Sequence, residues 1–140
     1  MSNLSIKITT EKLDINKCYN FVANPNCGGI AAFIGTVRNN TKEKEVLQLD
    51  FSTYESMAIK EMEKIANLAL AKFDIEKIAI HHAHGMLQIG DIAVIITVAS
   101  KHRKAAFEAC QFAIDTLKKT VPIWKKEYFK DGEVWVNAHP

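Results

Sequence analysis

Only two of the eighteen lysine and arginine side chains are arginine, Arg38 and Arg103. Each falls where an apolar run gives way to a polar segment: Arg38 follows Ile30–Val37, and Arg103 follows Asp91–Ser100. A guanidinium offers a planar fork of donors that matches phosphate or carboxylate, whereas an ammonium is a point charge. A lysine-rich chain that keeps arginine at two such junctions is suited to hold an oxyanion there. His102-Arg103 also opens a helical segment, where free backbone N–H groups and the helix dipole favour an anion. In that setting His102 serves better as a donor to a phosphate oxygen than as a base. Ser100 has the residue type expected to cap the same helix.

Lys118 and Lys125 flank Pro122-Ile123-Trp124. Crowding an ammonium with other cations and an aromatic wall disfavours its charged form, the condition under which lysine transfers protons. Lys118 is equally a member of the polar helix stripe that runs through Lys104, Glu108, Gln111 and Asp115, and periodicity leaves both readings open. Cys27, before Gly28-Gly29, reads as an exposed thiol, but no helix start or basic cluster adjoins it in sequence to activate it as a sulfur carrier. Cys110 falls on an apolar helix stripe and reads as core. His81, His82 and His84 are dense for their length, yet no third ligand at a recognisable spacing accompanies His82 and His84. They read as half-exposed strand histidines rather than metal ligands.

The charge that serves these groups is local. From Lys101 to Lys130 there are eight cations against three anions, a net of +5, which leaves −3 on the rest of a chain whose total is +2. Such a patch holds a small anion without making the protein a general polyanion binder. A nucleic-acid-binding module would interleave aromatic and basic residues on an exposed sheet, and only Trp124 and Tyr128 offer that pattern. The 140 residues, 48% hydrophobic and 24% charged, are expected to form one soluble domain. No apolar run approaches the ~20 residues of a membrane span. Met1–Thr10 lacks the layout of a signal peptide, so a cytoplasmic location is expected. Three cysteines without a CxxC pair support neither a disulfide framework nor a zinc ribbon.

The elements that must position these groups follow from periodicity. Leu4–Thr9 alternates as a strand, and Ile15–Ala23 is suited to a short helix ending at the turn-rich 24–29 segment. Ile30–Val37 reads as a buried strand, paired as a hairpin with Val46–Tyr54 across a long mobile tip, Asn39–Glu45. Ser56–Phe73 carries Ala58, Met62, Ile65, Ala69 and Phe73 at helical spacing. Ile75–His82 and Asp91–Ser100 read as strands joined by a Gly85–Gly90 turn. A second main helix, about Arg103–Lys119, would bury Ala106, Cys110, Ala113, Ile114 and Leu117, and Pro122 stops it. Ile123–Val136 reads as two strands around an Asp131-Gly132 turn. The whole is an α+β fold, with two main amphipathic helices against an antiparallel or mixed sheet.

In this order and spacing, Phe33-Ile34-Gly35-Thr36-Val37-Arg38-Asn39-Asn40, Tyr54 through Met57-Ala58, His82 with Gly85, Leu87, Gly90 and Asp91, Ser100-Lys101-His102-Arg103 with Ala106-Phe107, and Leu117-Lys118 with Pro122-Ile123-Trp124-Lys125-Lys126-Glu127 resemble the MoaE family, the large subunits of molybdopterin synthase. The resemblance runs from about Gly28 to Trp135. It implies an α/β hammerhead-like fold and a sulfurtransferase that converts cyclic pyranopterin monophosphate (precursor Z) to molybdopterin. Two dithiolene sulfurs would come from the thiocarboxylate at the Gly-Gly tail of a small ubiquitin-like carrier. It further implies a homodimer at the centre of a heterotetramer, with no metal and no cofactor of its own.

Carried over by position, Arg38, His102 and Arg103 match the residues around the pterin phosphate. Lys118 and Lys125 match the two lysines of the reaction, and Phe33 and Glu127 match residues lining the same pocket. Two positions depart from the pattern: His82-Ala83-His84-Gly85 stands where the family has His-Arg-x-Gly, and His139 stands where a basic residue crosses the dimer. An inactive scaffold that binds the carrier but not the pterin is the competing reading within the same resemblance.

Overall fold

The computed structural model describes the backbone of residues 2–137 and the side chains of residues 2–133; His139 lies outside the described residues. Strand β7 (Ile92–Ser100) is almost wholly apolar and is buried along nearly its whole length, as a run without polar alternation requires. It lies inside a four-stranded sheet of order β1-β5-β7-β2, with β1 (Leu4–Thr9), β5 (Lys77–Ala83) and β2 (Gly29–Thr36). β1 runs parallel to β5, and the other two pairs are antiparallel.

One face of that sheet carries α2 (Glu55–Lys72) over β1 and β5 and α3 (Arg103–Thr120) over β2 and β7. The expected stripes are the buried ones: Ala58, Met62, Ile65 and Ala69 on α2, and Ala106, Cys110, Ala113, Ile114 and Leu117 on α3. Alanine at so many contact positions lets α3 lie close to the strands. The other face carries α1 (Ile15–Val22), capped by the Asp14 carboxylate, which accepts from the N–H groups of Asn16 at 2.8 Å and Lys17 at 3.3 Å. Cys18 and Val22 of α1 are buried against Ala79, Ile95 and Ala99.

A second sheet has the order β3-β4-β8-β9, formed by β3 (Asn40–Thr41), β4 (Lys44–Thr53), β8 (Ile123–Phe129) and β9 (Gly132–Asn137), with β6 (Gly85–Gln88) also on β4. The α+β class therefore holds, and the strand pairing differs from the expected one. β2 pairs with β7, whereas β4 pairs with β3, β6 and β8, so the expected β2/β4 hairpin is absent. Val37 donates its N–H to Asp91 and accepts from Gly90, which keeps β2 on β7 to its end. The 39–45 segment is a tight hairpin, with Lys42 and Glu43 both at positive φ (50° and 67°), the conformation of a two-residue primed turn.

The Gly85–Gly90 turn contains strand β6, because Gly85 at φ 97° swings the chain from the first sheet into the second. The last hairpin turns at Lys130-Asp131, one residue earlier than its composition suggests. β2 is not a buried strand: Ala31 faces the core while Ile30 and Ile34 are 37% and 38% exposed, because α1 covers only β5 and β7 on that side. Among the described residues no helix is long and apolar enough to cross a membrane.

Candidate active site

Where the two sheets meet, a cavity of about 490 Å³ opens between β2, the end of α3 and β8. Phe33 reaches it because β2 alternates, placing Ala31, Phe33 and Gly35 on the α3 side. Arg38 follows the end of β2, and Lys118 stands on the last turn of α3, where a cation also complements the helix dipole. Lys125 and Glu127 share the inward face of β8 with the buried Ile123. Five of the seven expected site residues, Phe33, Arg38, Lys118, Lys125 and Glu127, thus line one cavity. The aromatic wall is Phe33 and Phe51; Trp124 lies on the opposite face of β8 and is 44% exposed.

The remaining two, His102 and Arg103, line a separate basic cavity of about 340 Å³ with Gly28, Lys101 and Lys104. His102 is the N-cap of α3 through its backbone alone, with no side-chain cap bond and no acidic residue in the first turn. Ser100 is not the cap; it is fully buried, and its hydroxyl donates to the His102 carbonyl. Gly28 and Gly29 make the close approach possible. A Cβ on Gly29 would lie 3.1 Å from the Arg103 Cα, and one on Gly28 would lie 3.0 Å from the Lys101 carbonyl oxygen. Arg103 begins α3 and Lys118 nearly ends it, so helix rise separates them by ~22 Å.

Two cavity residues escaped the sequence reading. Thr41, placed in a mobile tip, donates its hydroxyl to Glu127 Oε2 at 2.5 Å; nothing in the sequence marks it. His82 lines the same cavity and is 3% exposed, not half-exposed. Its signal was present, since Ile78, Ile80 and His82 alternate onto the core face of β5. Burial pushes its imidazole pKa down to about 4 against a carbonyl bond to Ala83 that raises it. His81, also buried, faces the other side and contacts the Ser5 hydroxyl at 2.9 Å. His84 lies 3.3 Å from the Thr53 hydroxyl.

Burial raises the Cys18 and Cys110 thiols to about 11, which makes both poor nucleophiles. Among the described residues no three His, Cys, Asp or Glu side chains converge as a metal site requires.

Fold and cavities together define an α+β protein that gathers an arginine, two lysines and a buried carboxylate around a space suited to a small anionic reactant. Residues 8–120 match the family model described as MoaE protein. The chain is 45% identical to the molybdopterin synthase catalytic subunit of Dictyostelium discoideum over 94% of this chain and 84% of that protein. It is 41% identical to the human molybdopterin synthase catalytic subunit over 93% and 69%.

Among solved structures, molybdopterin synthase from Staphylococcus aureus superposes with a TM-score of 0.88 at 37% identity, covering 97% of this chain and 98% of that one. A chain in the complex of subunits 1 and 2 of molybdopterin-converting factor from Helicobacter pylori superposes with a TM-score of 0.76 at 25% identity, covering 99% and 94%. The chain belongs to the MoaE family, whose relatives here are catalytic subunits of molybdopterin synthase, an enzyme of molybdenum-cofactor biosynthesis.

Proposed function

We propose that this chain transfers sulfur to cyclic pyranopterin monophosphate, forming the dithiolene of molybdopterin in the cytoplasm. The donor is the carboxy-terminal Gly-Gly thiocarboxylate of a small ubiquitin-like carrier subunit. The observation that carries the reading is the convergence of Arg38, Lys118, Lys125 and Glu127 on one cavity. A thiocarboxylate is already a nucleophile, so the protein's work is to hold two anionic reactants together, neutralise developing charge and move protons. Lys118 and Lys125 supply the mobile protons and the positive field, Arg38 clamps an oxyanion, and Glu127 fixes the polar floor.

His102 and Arg103 act on the pterin phosphate from a second copy of the chain. The ~22 Å between Arg103 and Lys118 along one α3 exceeds what a single small pterin monophosphate spans. A two-fold dimer that brings the basic cavity of one protomer beside the lysine cavity of the other joins them. This arrangement accords with a heterotetramer of two such chains and two carriers.

The test mixes the protein with thiocarboxylated carrier and precursor Z and assays dithiolene product. Wild type forms product and Lys118→Ala does not; unchanged product from Lys118→Ala overturns the role given to that lysine. Binding of carrier without binding of precursor Z identifies a scaffold instead of an enzyme.

A further inference from the structure

The charged groups on the cavity wall are mostly donors. Arg38, Lys118 and Lys125 carry no acceptor, and Glu127 already accepts from Thr41. His82 is different. Its Nδ1 lies 2.7 Å from the carbonyl oxygen of Ala83, which can only accept, so Nδ1 carries the hydrogen. In the neutral ring Nε2 is then a bare lone pair. Among the described residues no donor lies within hydrogen-bond distance of Nε2, although the side chain is 3% exposed. Phe51 stands edge-on to the ring at 5.2 Å and 80°, which holds its plane.

A buried acceptor without a partner is costly, and native structures leave few of them. On a cavity wall the missing partner is a group that the cavity receives. The cationic side chains serve the anionic oxygens of the reactants, and none of them can accept from an uncharged N–H or O–H.

We propose that Nε2 of His82 accepts a hydrogen bond from an N–H or O–H of the bound pterin and so orients its ring system against the lysines. The inference rests on the function proposed above and adds a substrate contact to it. The neutral imidazole is suited to this role: a protonated one would donate from both nitrogens and repel the ammonium groups across the cavity.

Calorimetry with precursor Z on wild type, His82→Phe and His82→Gln tests the contact, alongside ¹⁵N NMR of the wild-type imidazole. Phe removes the acceptor at similar volume and weakens pterin binding about tenfold, whereas Gln, which can place an amide oxygen near the Nε2 position, stays within about threefold. Inorganic phosphate binds all three proteins alike. In the free wild type, NMR shows a protonated Nδ1 and a bare Nε2, and the Nε2 signal moves when precursor Z is added.

Wild-type affinity in His82→Phe overturns the inference and leaves the proposed function standing. A proton on Nε2 in the free protein, or equal weakening in Gln and Phe, overturns it as well. Failure of folded wild type to bind precursor Z overturns the proposed function, and this inference with it.

Discussion

Thr41 holds Glu127. The hydroxyl of a residue in a two-residue hairpin donates at 2.5 Å to a carboxylate that is 4% exposed, tying the β3–β4 turn to the cavity floor on β8. A buried carboxylate deprived of a donor bears the full cost of its desolvation, ~1.5–3 kcal/mol. Thr41→Val is therefore expected to lower the unfolding free energy by about that amount and to loosen the hairpin, while Thr41→Ser retains most of the stability. Urea unfolding of the three proteins measures the difference. Equal stability of Thr41→Val and wild type would show that the bond contributes nothing.

The two lysines differ from Trp124 in the side of β8 they serve. Lys118→Ala and Lys125→Ala each remove a cavity cation, and each is expected to reduce dithiolene formation by about 10²-fold or more. Lys118 is exposed on the last turn of α3, so its loss leaves thermal stability nearly unchanged. Trp124→Ala, on the far face, is expected to leave the single-turnover rate within about threefold of wild type; a loss as large as that of Lys118→Ala would return the tryptophan to the site.

What the sequence made legible was what repeats. The stripes of α2 and α3 follow from burying one face, whereas Lys118 and Lys125 were singled out by the cations and aromatic around Pro122, and Glu127 by the family resemblance alone. Strand partnership does not repeat, and it was misread for β2, whose apolar run names no neighbour. Its partner is β7 along the whole strand, from Gly29 opposite Ser100 to Thr36 opposite Ile92, and the Val37 contacts with Gly90 and Asp91 extend that pairing past the strand end. Thr41 was invisible because its role depends on a carboxylate 86 residues away. Ser100 has the type of a helix cap, but its hydroxyl turns to the His102 carbonyl and leaves the cap to backbone. His102 and Arg103 fell into the same predicted site as Lys118 because sequence motifs carry no distance.

That distance makes a prediction of its own. Arg103→Ala and Lys118→Ala damage opposite ends of α3, so in the dimer proposed above each homodimer lacks a component of both its sites. Equal mixing with subunit exchange gives half heterodimers, each with one intact site, and about a quarter of wild-type activity returns. A mixture that stays as inactive as its parents would place both residues in the site of a single chain.

Gly35 sits where the cavity wall has no room for a side chain. A Cβ there would lie 2.7 Å from Val94 Cγ1 and 3.2 Å from Phe33 Cε2. Moving the phenyl ring does not relieve the nearer clash: the Val94 side chain or the β2–β7 pairing must shift, and the ring must give by a few tenths of an ångström as well. Gly35→Ala is expected to cost ~1–3 kcal/mol and to reshape the cavity wall at Val94 and Phe33. A lowered melting temperature together with weaker pterin binding checks it, and wild-type values for both would show that the wall adapts freely.

Acid sensitivity follows from the same buried ring that faces the cavity. The folded protein holds the His82 pKa near 4, mainly through burial, with His84 adding repulsion and the Ala83 carbonyl opposing both. The charged groups sharing its cavity are Arg38, Lys118, Lys125 and Glu127. An unfolded histidine titrates near 6.5, so between pH ~6.5 and ~4 the unfolded chain binds a proton that the folded chain does not. Stability is then fully present above pH ~6.5 and falls as the pH drops, by roughly 3 kcal/mol at pH 4 from this residue. His81, shifted in the same direction by burial and by Lys7 and Lys17, adds to the slope. Urea unfolding at pH 7.0, 5.5 and 4.5 measures the fall, and His82→Gln, which cannot titrate, is expected to flatten it. An unchanged slope in that variant would assign the acid sensitivity to other groups.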